Sequence, residues 1–248
     1  MRGNMKLGKK GNYAVNIILV ACVYAVIFAL CKLDVKDYAK SYQDIEELLC
    51  AVSGFRMTDL PMDIQGQMIK WMLSLSVVYI LVGRDIYDPL NHLKYIAMVR
   101  YGSYRRFYQT LMNKTVVNTL LYGVCGVGIT YVLYLLGGNG QVSAAVFIKM
   151  SMIYILQLIL LCLVQTVCMI LFSGYTASVL VLISWFVLVL CGSFLAGAHW
   201  RWLPANWGMY MRRAEMTEGG VTVTSYYIEG ILCVLLWIVV PRIVKREK

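Results

Sequence analysis

Between residues 145 and 172 the chain carries one charged side chain, Lys149, among a near-continuous run of Leu, Ile, Val, Met, Phe and Cys. A half-exposed soluble helix would show a polar face recurring every three to four residues, and none is present. The run is longer than the ~20 residues needed to cross a bilayer core of ~30 Å. The whole chain shares this character, at 60% hydrophobic and 15% charged residues, with a mean hydropathy of +0.68. Short segments alternating apolar and polar, which a transmembrane β-barrel would need, do not occur. The expected class is therefore an all-α, polytopic membrane protein in a single domain.

Six spans are expected, at about residues 14–33, 68–82, 115–136, 145–172, 176–196 and 227–240, the last closed by Pro241. The flanks set the orientation. Residues 1–13 hold Arg2, Lys6, Lys9 and Lys10 without an acid, and residues 34–67 hold seven acids against three bases. Residues 84–114 reverse that balance with six bases and two acids, and residues 241–248 are again basic. Lys and Arg are retained on the cytoplasmic side, so both termini and the 84–114 loop are expected there. The same placement accounts for the net charge of +10. Basic residues at span ends meet lipid headgroups, and no nucleic-acid-binding module accompanies them. The first span has a basic start but no small-residue cleavage site after it, and reads as an uncleaved span.

Six of the eight cysteines (Cys22, Cys125, Cys162, Cys168, Cys191, Cys233) fall within expected spans, where they act as small apolar residues. Cys31 and Cys50 lie where they can meet outside the membrane, so a disulfide between them stays open. His92 and His199 fall on opposite sides and cannot share a metal. The segment from Gly3 to Lys10 imitates a phosphate-binding loop, but Lys10 stands where Ser or Thr must meet Mg²⁺. No catalytic motif is present.

Three groups of residues are functional candidates. The first is the inner loop, 84–114, with apolar positions at Leu90, Leu93, Ala97, Tyr101, Tyr104, Tyr108 and Leu111. Their spacing of three and four predicts one helical stripe, broken at Gly102-Ser103, where a stop and an N-cap start a second helix that runs on into the third span. It reads either as an interfacial helix with Tyr at the headgroups or as a helix that docks on a cytosolic partner. The second group is Trp200, Trp202, Trp207 and Tyr210, around Pro204 and Gly208 in the outer segment 197–226. This is either an aromatic belt or a re-entrant helix pair, which lipid tolerates only when packed on protein or facing a wet cavity. The third group is polar: Asn16, Asn118, Gln157, Gln165 and Thr166, which either bond between helices or line a path. Small residues in the third span (Gly123, Gly126, Gly128) and in the fifth (Gly192, Ser193, Ala196, Gly197) permit close helix approach. In the outer segment 34–67, an amphipathic helix is expected with Ile45, Leu48, Leu49 and Val52 on one face. No charge is expected to be buried inside the spans, because Lys149 and Glu229 sit near outer ends and can reach the interface. A proton- or sodium-coupled carrier keeps an ionisable group near mid-membrane, so this pattern favours energy supplied from outside the membrane.

Together, the basic start, six spans, helical inner loop after the second span and aromatic, Gly/Pro-broken segment before the sixth resemble the ABC-2-type permease family. These are the membrane subunits of bacterial ABC exporters, among them antimicrobial-peptide and lantibiotic export and immunity permeases. The run Val99-Arg100-Tyr101-Gly102-Ser103-Tyr104-Arg105-Arg106-Phe107 is similar to the Arg-x-Gly-Ser-x-basic-x-aromatic pattern that follows the coupling helix there. The resemblance implies that residues 88–98 dock on a separate ATPase, through Asp88, Leu90, Leu93, Lys94 and Ala97. It implies that Arg100, Arg105 and Arg106 rest on lipid phosphate or on acidic ATPase surface. ATP and Mg²⁺ would be bound by the partner, two permease subunits would enclose the path, and the chain itself would need no cofactor. Trp200, Trp202, Trp207 and Tyr210 would shape the outer gate, with Asn118, Gln157 and Gln165 on the path of an amphiphilic cargo such as a peptide. Two other readings compete. One is a membrane enzyme acting alone, for which no catalytic constellation is visible. The other is a non-catalytic immunity or sensor protein holding a peptide at its outer face.

Overall fold

The computed structural model describes residues 5–37, 49–54, 61–91, 101–137, 143–172, 174–194, 203–210 and 224–243. All regular structure among them is helical. In chain order the helices are α1 (Met5–Asp37), α2 (Cys50–Ser53), α3 (Pro61–Asn91), α4 (Tyr104–Leu136), α5 (Ala144–Phe172), α6 (Tyr175–Phe194), α7 (Pro204–Trp207) and α8 (Thr224–Ile243). Four stretches are long and apolar enough to cross a membrane: Tyr13–Leu33, Gly66–Asn91, Tyr104–Leu136 and Ala144–Phe172; Tyr175–Cys191 is apolar but shorter. The protein is membrane-embedded.

Hydrophobicity on every side puts α5 at the centre of the bundle. Met150, Tyr154, Leu158, Leu161 and Cys162 are fully buried there, and α3, α4, α6 and α8 pack around it, with the short α2 and α7 also in contact. Consecutive long helices alternate in direction. Asn16 near the start of α1 bonds Arg84 near the end of α3, and Tyr87 at the end of α3 stacks edge-on against Tyr175 at the start of α6.

Three sequence expectations are corrected. The second span is not confined to residues 68–82, because α3 runs unbroken over Pro61–Asn91. Arg84 and Asp85 interrupt its hydropathy but not its helix, since neighbouring helices bond both. At the other end, Pro241 does not close the last span. It lies inside α8, which continues to Ile243, and there it removes one donor near the end of the helix. The expectation that no span buries a charge fails at Glu229, which is fully buried next to Ile228, a residue that packs with Leu232 on Trp207. Cys31 is buried in the bundle core.

Other expectations match. Ser103 caps α4, its Oγ accepting the Arg106 N–H at 3.3 Å, while Gly102 takes the left-handed φ of +67° that turns the chain into it. As expected, α4 then runs without a break into the third span. In the outer segment, Leu49 and Val52 are buried as the amphipathic pattern requires; residues 38–48 lie outside the described residues.

Candidate functional site

Pro89 sits in the last turn of α3. A helical N–H at that position would bond the carbonyl four residues back, Asp85 O, and proline has none to give. Lys114 Nζ takes that carbonyl instead, at 2.5 Å. One turn further along α4, Asn118 Nδ2 donates to Asp85 Oδ2 at 2.7 Å, and one turn beyond that Tyr122 Oη donates to the same oxygen at 3.2 Å. Lys114, Asn118 and Tyr122 are spaced four apart, which puts them on a single stripe of α4. Asn16 extends the network to α1, donating to Tyr122 Oη at 2.9 Å and accepting from Arg84 Nη2 at 2.7 Å. Three helices are thus tied at the base of the segment joining α3 to α4.

The coupling candidates surround this network. Asp88 is exposed on the last turn of α3, but Leu90 is buried in the bundle core. Arg105 and Arg106 are exposed on the first turn of α4. Leu93, Lys94, Ala97 and Arg100 lie outside the described residues, as do His92 and His199. The expected continuous stripe does not survive Gly102: Tyr108 and Leu111 are buried, whereas Tyr101 and Tyr104 are exposed and Tyr104 stacks on Tyr108.

The outer candidates split in the same way. Trp200 and Trp202 lie outside the described residues. Trp207 is buried and Tyr210 half-buried. The turn that carries Trp207 is seated deep. Gln157 Nε2 donates to Pro204 O at 3.1 Å, and Gln157 lies 13 residues from the start of the 29-residue α5, or ~20 Å along its axis. Gly208 allows this seating, since a Cβ there would fall 2.6 Å from Gln157 Cβ. The other outer segment meets it. Gly54, at φ +80°, faces Met209 so closely that a Cβ would fall 2.6 Å from Met209 Cβ. Ala205, Asn206 and Met209 are fully buried.

The path-lining candidates all bond within the bundle. Asn118 bonds Asp85, Gln157 bonds Pro204, and Gln165 Nε2 donates to Ser178 Oγ at 2.6 Å. Thr166 and Thr115 pair at 2.8 Å. Helix packing therefore explains these side chains. Sequence reading missed Asp85 as their focus; the signal was present in the four-residue spacing of Lys114, Asn118 and Tyr122. No family model, curated protein or solved structure matches the chain.

Proposed function

We propose that this chain is the transmembrane permease subunit of an ATP-driven ABC exporter in a bacterial cytoplasmic membrane. It has six spans, both termini inside, a docking segment between α3 and α4, and a re-entrant outer segment around α7. ATPase subunits dock at the inner loop and supply ATP, Mg²⁺ and force. A second permease subunit completes the path, and the cargo is an amphiphile such as an antimicrobial peptide.

One observation carries the reading: the helices that flank the inner loop are braced to each other by Asp85, with exposed Asp88, Arg105 and Arg106 presented beside the brace. A loop that merely joins two spans requires no such brace, whereas one that receives a push does. The outer turn held at half the height of α5 suits a gate packed on protein, the setting in which lipid tolerates irregular backbone. The immunity or sensor alternative relies on outer aromatics meeting a peptide, and Trp207 is buried against α8 instead.

The test is mild-detergent extraction of the tagged full-length protein. It is expected to bring down a nucleotide-binding subunit, and Arg105→Glu with Arg106→Glu and Leu93→Asp is expected to release it. A stable complex with no nucleotide-binding partner overturns the reading.

A further inference from the structure

We propose that Asp85 is a positioning residue that locks the inner ends of α3 and α4 into one lever, so that a push delivered between Asn91 and Tyr101 moves both helices together. The clause about the push rests on the function proposed above; the lock itself does not. Four features assign it. Pro89 removes the donor that would otherwise satisfy the Asp85 carbonyl within its own helix. Lys114 supplies the replacement from α4. The carboxylate receives two further α4 donors, from Asn118 and Tyr122. Bonds to an ionised acceptor are about twice as strong as neutral ones, and a partly buried carboxylate stripped of its donors is costly. Asn16 then ties Tyr122 to Arg84, so α1 cannot move without the pair. The alternative, in which α3 and α4 part at this end, would break the three bonds that Asp85 receives from α4.

Hydrogen exchange of the full-length protein in nanodiscs reads the lock directly. In Asp85→Ala, the amides at the inner end of α3 are expected to exchange roughly ten- to a hundredfold faster, the range implied by losing bonds to a charged group. Alanine favours helix over aspartate, so intrinsic propensity works against this result. Asp85→Asn keeps an acceptor oxygen and should restore most of the protection. Asp88→Ala removes an exposed carboxylate one turn away that forms no part of this network, and should leave exchange at the end of α3 unchanged whatever it does to docking. Unchanged exchange in Asp85→Ala overturns the proposal, as does equal loosening by Asp88→Ala. Asn118→Ala, which leaves the carboxylate in place, makes the same comparison if Asp85→Ala does not fold.

A second measurement separates a lever from a mere strut. Spin labels at Asn91→Cys and Thr110→Cys, in a cysteine-free background with the captured ATPase, should keep their separation when nucleotide is added. In Asp85→Ala that separation should change. A nucleotide-driven change in the unmutated pair overturns the lever. If no ATPase is captured, the proposed function falls while hydrogen exchange still decides the lock.

Discussion

Tyr24 lies flat across Gly126, where a Cβ would stand 2.5 Å from the Cζ of its ring. The absent side chain lets α1 approach α4 closely enough for Tyr24 Oη to reach Tyr154 Oη, 2.5 Å away on α5, and Ser74 O, 3.2 Å away on α3. Tyr154 Oη donates in turn to Ser74 Oγ at 2.9 Å, and Ser74 Oγ to Trp71 O at 2.7 Å. Four helices thus meet around one glycine.

Alanine at the three α4 glycines should therefore rank by the space behind each. Gly126→Ala meets the rigid Tyr24 ring and should cost about 1–3 kcal/mol, as overpacking does. Gly123→Ala meets the tip of Leu158 at 3.3 Å and Ile155 Cγ1 at 3.6 Å, and should cost less. Gly128→Ala meets nothing within 4 Å and should be neutral or stabilising through helix propensity. Thermal unfolding in detergent measures the order.

Removing a member of the tyrosine–serine group should have a modest effect. Interhelical hydrogen bonds in membrane proteins contribute about 0.6 kcal/mol on average and about 1.7 at most. Tyr154→Phe and Ser74→Ala should each fall in that range, and the double variant should cost less than their sum because both act on one bond. Additive losses in a double-mutant cycle would show that the two do not share it.

Gly208→Ala should drive a methyl group into Gln157 and unseat α7 from the centre of the bundle. Ala205 is fully buried, so a cysteine placed there should resist an impermeant maleimide in the parent protein and react in the Gly208→Ala background.

The cap at Ser103 should be measurable through docking. Ser103→Ala loses the bond to the Arg106 N–H, at about 1 kcal/mol. The first turn of α4, which presents Arg105 and Arg106, should loosen, and ATPase capture should weaken roughly fivefold. Gly102→Ala adds strain at φ +67° and should weaken capture further.

Orientation has its own test. Impermeant reagent applied to intact cells should label Ser143→Cys, at the outer start of α5, and should reach Arg106→Cys only after lysis. The reverse pattern would invert the topology.

The helices were legible in the sequence wherever one physical signal dominated. Uniform apolarity announced α5, and Gly102-Ser103 announced the start of α4 because Gly tolerates the left-handed turn and Ser caps the helix that follows. Signals failed where two tendencies opposed each other. Arg84, Asp85 and Pro89 each argue for the end of a helix, yet α3 continues to Asn91 because donors lying far away in sequence satisfy what those residues disturb. Glu229 misled for a related reason. Its place near the start of α8 suggested water, but the packed bundle buries it completely. At the candidate site, sequence located the inner loop but not Asp85, whose importance rests on three side chains 29 to 37 positions away.

With Ala205, Asn206 and Met209 buried beside Gln157, main chain plugs this bundle about half-way along α5. For the permease proposed above, a plug of this kind would put the cargo's path along its flank, at the seam with the second subunit.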